Sequence, residues 1–293
     1  MHRRAFLMGS LAAGVMLASR PLRAGTLLAQ PGQLEQLAAL ERSHGGRLGV
    51  AILDTATGRR INHRGEERFP MCSTFKWLAA AEVLSRVDRG TESLARRIEF
   101  TPADLVPYSP VTSKHVGAPG MTLAGICEAA ITLSDNTAGN LLLDSMGGPA
   151  GLTAFARSLG DRYTRLDRRE PELNEAIPGD PRDTTTPAAM LHDMHALLVG
   201  AALSQASRAQ LVEWMVATST GDARLRAGLP DGWRVGDKTG TSNNGVANDV
   251  AIAWPPGRAP LLVTAYHAEA VTDGDTRNAV LAGVGRIAAA IVA

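Results

Sequence analysis

The sequence predicts an α+β fold in which both ends of the chain contribute strands to one sheet. Alternating or continuous apolar segments typical of strands occur near the start and again near the end, over residues 48–53, 60–63, 233–238, 248–254 and 261–266. The long middle part, from Pro70 to about Met215, has apolar residues at helical spacing and is broken by joints rich in Gly and Pro. Strands at both ends with helices between them indicate an all-helical domain inserted into a sheet-and-helix domain.

Two predicted helices flank the sheet segments, an amphipathic one over 33–42 and an apolar one over 277–292. In the middle part, the stretch 171–187 is too long for a plain connection, and loops of that length are usually functional. We therefore expect a leader over 1–24 or 1–29, a sheet-and-helix domain over 30–66 and 222–293, and an all-helical domain over 67–221.

The composition excludes several classes of protein. The chain has 293 residues, 45% of them apolar and 20% charged, which is too apolar for a disordered chain. Basic residues number 30 and acidic residues 29, and four of the arginines lie in the first 24 residues, which contain no acid. The rest has 26 basic and 29 acidic side chains, a net charge of about −3. A chain with such a balanced charge is expected to have no basic surface for nucleic acid and no polybasic patch for a membrane.

The first 24 residues are typical of a cleaved export signal. A basic start with Arg3-Arg4 is followed by an apolar stretch over 5–18 and by small residues near Ala24. The apolar stretch is shorter than the about 20 residues that span a bilayer, and the arginine pair resembles the twin-arginine type of signal. We expect cleavage after Ala24 or Ala29 and a soluble, periplasmic or secreted protein. The alternative is a basic N-terminal helix of the mature protein.

Lysine is scarce in this sequence and therefore informative. Only Lys76, Lys114 and Lys238 occur, against 27 arginines. Arginine does not lose its proton, whereas burial lowers the pKa of a lysine so that it can act as a base. Lys76 follows Ser73 by three residues before an apolar run, so one helical turn places both side chains on one face at a helix N-terminus.

Each short motif is ambiguous when it is considered alone. The Ser-x-x-Lys spacing of residues 73–76 is common in unrelated chains. Ser134-Asp135-Asn136 follows a helical run over 123–133, and a capping turn is the simpler explanation because all three residue types favour helix ends. Lys238-Thr239-Gly240 ends the predicted strand over 233–238 and fits an exposed strand end with a turn glycine equally well.

Together, in this order and at these separations, the three motifs resemble the Ser-x-x-Lys, Ser-Asp-Asn and Lys-Thr-Gly motifs of the serine penicillin-recognising enzymes. Glu170-Pro171-Glu172-Leu173-Asn174 is similar to the Glu-x-x-Leu-Asn element on the Ω-loop of class A serine β-lactamases, although alone it would indicate a polar surface loop. The stretches 108–112, 164–168 and 180–185 also resemble this family. The resemblance implies a five-stranded antiparallel sheet with helices on both sides, an all-helical second domain, an Ω-loop over 165–183, and an active site in the groove between the domains.

The resemblance also implies hydrolysis of the β-lactam amide of penicillins and cephalosporins through a serine acyl-enzyme, which gives antibiotic resistance. The implied catalytic residues are Ser73 as nucleophile, Lys76 and Glu170 as bases, Ser134 as proton donor to the leaving nitrogen, and Asn174 as partner of Glu170 in holding water. The implied substrate-binding residues are Tyr108, Asn136, Lys238, Thr239, Gly240, Thr241 and Arg224, with the backbone N–H groups of Ser73 and Thr241 as the oxyanion hole. By analogy, Arg168 and Asp183 bridge the neck of the Ω-loop. Three points stay open: the acylation base, a packing role for Tyr108, and a surface position for Arg224.

The two cysteines depart from the family's pattern. In much of the family the position of Cys127 forms a disulfide with that of Ala80, and in the carbapenem-hydrolysing branch the position of Cys72 forms one with that of Ser242. Neither partner is a cysteine here, so we expect two free, buried thiols. The missing partner of Cys72 argues against carbapenem hydrolysis, whereas Thr241 and Arg224 are shared with that branch, so the substrate spectrum stays open. Two cysteines exclude a disulfide scaffold or a Cys-based zinc site.

Three alternative functions remain. A penicillin-binding DD-peptidase of cell-wall synthesis shares the fold and three motifs but not the 170–174 element. A non-catalytic drug sensor stays acylated and is normally tethered to a membrane partner. A metal hydrolase would use His192 and His195, three residues apart on a helical run, but no third ligand follows nearby. We expect no cofactor, no metal, no nucleic-acid partner, no stable membrane association, and a monomer that acts on small-molecule β-lactams.

Overall fold

A five-stranded antiparallel sheet forms the centre of the structure. The computed structural model describes residues 31–292, so the expected leader over 1–24 or 1–29 lies outside the described residues. The strands are β1 (Arg47–Asp54), β2 (Arg60–His63), β3 (Phe69–Pro70), β4 (Arg97–Ile98), β5 (Met121–Thr122), β6 (Thr184–Thr185), β7 (Arg234–Ser242), β8 (Val246–Trp254) and β9 (Leu261–Ala268). The main sheet has the order β2-β1-β9-β8-β7, so strands from the two ends of the chain pair as predicted. Two short ladders, β3 with β6 and β4 with β5, lie outside it.

Most helices lie between the two groups of strands in the chain. They are α1 (Pro31–His44), α2 (Phe75–Asp88), α3 (Leu123–Thr132), α4 (Asn136–Ser145), α5 (Pro149–Ser158), α6 (Pro187–Leu198), α7 (Gln205–Val216), α8 (Leu225–Gly228) and α9 (Gly274–Ala289). Helix α2 is buried from Phe75 to Ser85 and packs against α3, α4, α5 and α7. A helix that is buried on all its faces lies in the middle of a core, so α2 is the central helix. The division into two domains, at residues 66/67 and 221/222, stays a prediction.

The two faces of the sheet pack against different helices. Side chains alternate between the faces along a strand. In β1, Leu48, Val50 and Ile52 enter a core shared with α1 and α9, whereas Ala51 and Leu53 enter the larger core that also contains α2 to α7. The sheet is therefore covered on both sides, as the resemblance implies.

The edge strand β7 carries the third motif. It lies against a 3₁₀ turn, Cys72–Thr74, that leads into α2. The expectation that this strand ends at Lys238 is wrong, because β8 pairs with β7 along its whole length and the strand continues through Ser242. Gly240 permits the close approach, since a Cβ there would lie 2.7 Å from the carbonyl oxygen of Met71. The third motif is therefore part of a regular strand that faces the turn carrying Ser73.

The last helix differs from the expected range of 277–292 at both ends. Helix α9 begins at Gly274 because the Asp273 side chain caps it, accepting a hydrogen bond from the backbone N–H of Thr276 at 2.7 Å. It ends at Ala289. Within residues 31–292, no helix combines the length and the apolar character needed to cross a membrane.

Candidate active site

Ser73 and Lys76 meet at the start of the central helix. The 3₁₀ turn with Ser73 leads directly into α2, and Lys76 Nζ donates a hydrogen bond to Ser73 Oγ at 2.9 Å. Gly139 of α4 makes room for the lysine, since a Cβ at that position would lie 2.8 Å from Lys76 Cε. The two side chains therefore share one face, as their spacing of one helical turn predicts.

Glu170 reaches the same point from the Ω-loop. Its Oε1 accepts a hydrogen bond from Ser73 Oγ at 3.1 Å and lies 2.9 Å from Lys76 Nζ. Its Oε2 accepts one from Asn174 Nδ2 at 2.5 Å. The backbone of Glu170 is fastened to α4, because the Asn140 side chain donates to its carbonyl oxygen at 2.9 Å and accepts from its N–H at 3.0 Å. The carboxylate is thus held towards Ser73 from two sides.

The Ser134-Asp135-Asn136 motif contacts both buried lysines. Lys76 Nζ donates to the carbonyl oxygen of Ser134 at 2.8 Å and to Asn136 Oδ1 at 2.6 Å. Lys238 Nζ, from β7, donates to Ser134 Oγ at 3.0 Å. Ser134 has a positive φ of 58°, a conformation that a residue other than glycine keeps only when its surroundings hold it. The second motif therefore joins the first and the third.

Asp135 holds this turn in place from within the core. It is fully buried, and it caps α4 by accepting a hydrogen bond from the N–H of Ala138 at 2.8 Å. It also accepts from the N–H groups of Val111 and Thr112, both at 2.9 Å, and from Thr112 Oγ1 at 2.8 Å. The capping explanation is correct for Asp135, and the same carboxylate also fastens the segment that carries Tyr108.

Three of the expected site residues are charged side chains that are buried. Lys76 and Lys238 are 0% exposed, and Glu170 is 2% exposed. Burial lowers the pKa of Lys76, and the neighbouring Glu170 carboxylate opposes this effect. Burial, and then the charge of Lys76, lowers the pKa of Lys238 well below its usual range. A lysine with a lowered pKa is easier to deprotonate and is a more available base near neutral pH.

A groove of about 740 Å³ lies above these charges. The expected site residues that line it are Ser73, Tyr108, Ser134, Asn136, Asn174, Arg224, Thr239, Gly240 and Thr241. Tyr108 is 61% exposed, so it stands at the groove and is not packed in the core. Every expected site residue thus lies either on the wall of one groove or, for the three buried charges, directly beneath it.

Arg224 is fixed at the groove with only 8% of its surface exposed. Its guanidinium donates to the carbonyl oxygens of Gly240 and Asn248, to Thr241 Oγ1 and to Asn278 Oδ1, at 2.7–2.9 Å. The alternative of a surface arginine is therefore wrong for Arg224. The neighbouring Arg226 instead pairs with Asp237.

The Ω-loop is fastened at its neck and along one side. Arg168 Nε donates to Asp183 Oδ2 at 2.6 Å, which places the expected ion pair across the neck. On the other side, Ser242 Oγ donates to the carbonyl oxygen of Asn174 at 2.5 Å, and Asn244 Nδ2 donates to that of Glu175 at 2.5 Å. The β7–β8 hairpin is thus hydrogen-bonded to the loop segment beside Glu170.

Comparison with known proteins identifies the family, since residues 34–292 match the Beta-lactamase enzyme family. This chain belongs to that family. β-Lactamase CTX-M-8 of Citrobacter amalonaticus is 48% identical over 286 residues, which cover 97% of this chain and 96% of that one. β-Lactamase L2 of Stenotrophomonas maltophilia is 50% identical over 278 residues, covering 94% and 90%.

Solved structures give the class of this β-lactamase. An ancestral (GNCA) class A β-lactamase is 68% identical with a TM-score of 0.86, covering 87% of this chain and 98% of its own. The putative class A β-lactamase PenP of Rhodopseudomonas palustris is 62% identical with a TM-score of 0.87, covering 89% and 99%. The protein is a class A β-lactamase and a hydrolase, and the expected five-stranded antiparallel fold is confirmed. The findings favour this function over the DD-peptidase.

Other chemistry-bearing residues of the β-lactamase lie apart from the groove. Cys72 and Cys127 are buried, free thiols, as expected, and burial raises the pKa of both. Lys114, His192 and His195 are exposed. Within residues 31–292, no group of three or more His, Cys, Asp or Glu side chains is placed to hold a metal ion.

Sequence reasoning missed two residues that shape the β-lactamase site. Asn140, which fastens Glu170, lies four residues after Asn136 on α4, and this spacing on a helix is a usable signal because it places both on one face. Gly139 lies between them, and its role in making room for Lys76 depends on the packing of α4 against α2, for which the sequence has no local signal.

Proposed function

We propose that this class A β-lactamase opens the β-lactam amide of penicillins and cephalosporins with Ser73 and releases the acyl group with Glu170. One observation carries the proposal: Ser73 Oγ lies within hydrogen-bonding distance of both a buried amine, Lys76 Nζ, and a buried carboxylate, Glu170 Oε1. A serine hydroxyl is a poor nucleophile unless a positioned base removes its proton. Here two candidate bases contact it directly.

In acylation, Ser73 Oγ forms a bond to the β-lactam carbonyl carbon while a base takes its proton. We assign this proton to Glu170 and Lys76 together, because the hydroxyl donates to Glu170 Oε1 and accepts from Lys76 Nζ. General base catalysis of this kind contributes about 10²–10⁴ in rate. The negative charge that develops on the carbonyl oxygen is stabilised by the backbone N–H groups of Ser73 and Thr241.

The amide C–N bond then breaks, and Ser134 gives its proton to the leaving nitrogen. Ser134 regains a proton from the base that deprotonated Ser73, so Lys76, Glu170 and Ser134 are back in their starting states before deacylation. The contact from Lys238 Nζ to Ser134 Oγ supports this role, because an oxygen that accepts from an ammonium can still donate its own proton. The substrate carboxylate is held by positive charge and hydroxyl donors: Lys238, Thr239, Thr241 and Arg224. Asn136 holds the substrate's side-chain amide, and Tyr108 flanks the entrance.

Deacylation requires a water beside the ester, and Glu170 with Asn174 holds it. Asn174 Nδ2 donates to Glu170 Oε2, which leaves Asn174 Oδ1 as a buried acceptor with no donor among the described residues. A water that donates to both residues is oriented towards the ester carbon. Glu170 takes one proton from it, the hydroxyl adds to the ester carbon, and the C–O bond to Ser73 breaks. Ser73 Oγ leaves with the proton that Glu170 took from the water, so the enzyme is restored.

The E170A variant tests the scheme. We expect E170A to be acylated by a penicillin and to retain an adduct of the full substrate mass, seen by mass spectrometry of the intact protein. Matched controls are S73A, which forms no adduct, and E172A, which changes an exposed neighbour on the same loop and keeps turnover. Rapid turnover by E170A would contradict the assignment of Glu170.

We also propose export, monomeric state and substrate class from the sequence. The leader over 1–24 with Arg3-Arg4 supports twin-arginine export to the periplasm or the medium. The balanced charge of the remaining chain supports a protein without stable membrane association. We propose that it acts on small β-lactams as a monomer and without a cofactor. Replacing Arg3 and Arg4 by lysine is expected to retain the precursor inside the cell, which fractionation would measure. Steady-state hydrolysis of one penicillin, one oxyimino-cephalosporin and one carbapenem defines the spectrum.

A further inference from the structure

Two buried carboxyl groups face each other at the root of the Ω-loop. Asp161 follows α5 and is 3% exposed, and Asp193 lies in α6 and is 0% exposed. Their carboxyl groups are within hydrogen-bonding reach of each other. Among the described residues, neither oxygen of Asp193 nor Oδ2 of Asp161 has a donor. Two buried acceptors in contact are stable only if a proton lies between them, because unpaired buried charges are costly.

The other oxygen of Asp161 fixes the chain that enters the Ω-loop. Asp161 Oδ1 accepts hydrogen bonds from the N–H groups of Tyr163 at 2.6 Å and Thr164 at 3.0 Å. The Thr164 hydroxyl in turn bonds that of Thr185 across the neck at 2.7 Å. Asp193 therefore connects α6, through Asp161, to both sides of the loop neck.

The groups around this carboxyl pair do not neutralise it in place of a shared proton. Arg157 of α5 is the nearby cation, but its guanidinium donates to the backbone carbonyl oxygens of Asp161 at 2.8 Å and Thr164 at 2.7 Å. Tyr266 of β9 presents a buried hydroxyl, and burial keeps it neutral by raising its pKa. On α6 itself, His192 bonds the Leu159 carbonyl oxygen, and His195 is exposed. Burial, and then the charge of Asp161, raises the pKa of Asp193 well above its ordinary value.

We propose that Asp161 and Asp193 share one proton, and that this pair positions the Ω-loop, and with it Glu170, until rising pH removes the proton. Once both carboxylates are charged, they repel each other inside the core, and the neck loosens. The effect on turnover rests on the proposed role of Glu170. The shared proton itself does not depend on that role. Asp161 and Asp193 are positioning residues, since neither lines the groove.

The shared proton fixes the sign of a pH effect on stability. Above the ordinary aspartate pKa, the folded protein holds a proton that the unfolded chain has lost, so stability falls as pH rises until the folded pair ionises. D193N supplies a permanent donor to Asp161 and removes this dependence. The unfolding equilibrium constant of wild type, divided by that of D193N, is therefore expected to rise about tenfold per pH unit between the ordinary aspartate pKa and the pKa of the folded pair.

The experiment is urea unfolding of wild type, D193N, D193A and D231N from about pH 5 to about pH 8. D231N makes the same change of charge at an exposed site, so its unfolding free energy should change with pH in parallel with that of wild type. D193A, which leaves Asp161 Oδ2 without a donor, should be less stable than D193N at each pH. Parallel curves for wild type and D193N would overturn the proposal.

Two further readouts separate this inference from the proposed function. If the variants fold poorly, hydrogen exchange of wild type is the measure: protection of the Tyr163 and Thr164 amides should fall with pH relative to that of Val250 in β8. The acyl-enzyme lifetime should lengthen with pH in wild type more than in D193N. Unfolding and exchange use no β-lactam, so a failure of the proposed function would leave them intact. Unchanged relative protection would count against the shared proton.

Discussion

Replacing Asp135 by Asn tests whether one buried carboxylate holds the turn between Ser134 and Asn136. Oδ2 accepts the N–H groups of Val111 and Thr112, and Oδ1 accepts that of Ala138 and the Thr112 hydroxyl. An asparagine has only one oxygen, so in either orientation its NH₂ group faces at least one backbone N–H. Two hydrogen bonds to a charged group are lost at about 1.5–3 kcal/mol each, so D135N is expected to lose about 3–6 kcal/mol of unfolding free energy.

The assay is urea unfolding followed by circular dichroism, with kcat/KM for a penicillin measured on the same preparations. T112V is the matched control, because it removes one hydroxyl donor to the same carboxylate and should cost about 1.5–3 kcal/mol, the value of a single such bond. A loss of activity should accompany D135N, since residues 134 and 136 contact both buried lysines. If D135N unfolds within about 1 kcal/mol of wild type, the carboxylate does not hold the turn.

Three further substitutions have defined outcomes. N140A removes both hydrogen bonds to the Glu170 backbone, so we expect deacylation to slow about tenfold while acylation is unchanged. Burst kinetics would show this as accumulated acyl-enzyme. A fall in both rates would contradict the prediction. Burial lowers the pKa of Lys238, so its charge is lost at lower pH than that of a free lysine and KM should rise with pH. K238R should show a flat KM because arginine keeps its proton; a flat wild-type profile would refute this. R168A leaves the Asp183 carboxylate without its cation and should lower the free energy of unfolding by about 3 kcal/mol, measured by thermal unfolding. The kcat of this variant should also be lower.

The fold was predictable where strand and helix patterns are local. The alternation of Leu48, Val50 and Ile52 identifies a strand, and strands at both chain ends indicate a shared sheet. The end of β7 was not predictable, because Thr and Gly after Lys238 are locally typical of a turn. Only the pairing with β8, a contact between distant residues, extends the strand to Ser242. Local composition therefore identifies elements better than it locates their ends.

The site was predictable to the extent that its residues occur in motifs. Ser73 and Lys76 are three apart on a helix, so their contact follows from spacing alone. Asn140 fastens Glu170 across 30 residues of sequence, and such a contact depends on how α4 packs against the Ω-loop. Asp193 carries even less signal, since a single aspartate in a helix is normally a solvated residue. Only its burial against Asp161 distinguishes it.

The scarcity of lysine has a physical explanation at the two positions in the site. Lys76 and Lys238 are both fully buried, and Arg224 beside them is nearly so. Arg224 acts through a fixed set of hydrogen bonds, which suits a guanidinium that stays charged. At Lys76, an arginine would keep its proton and could not serve as a base to Ser73, whereas burial lowers the pKa of the lysine there. The contact with Glu170 opposes that shift, so the carboxylate that we propose directs deacylation also sets how readily Lys76 gives up its proton. A variant that removes Glu170 is therefore expected to change the pH dependence of acylation as well as to block release.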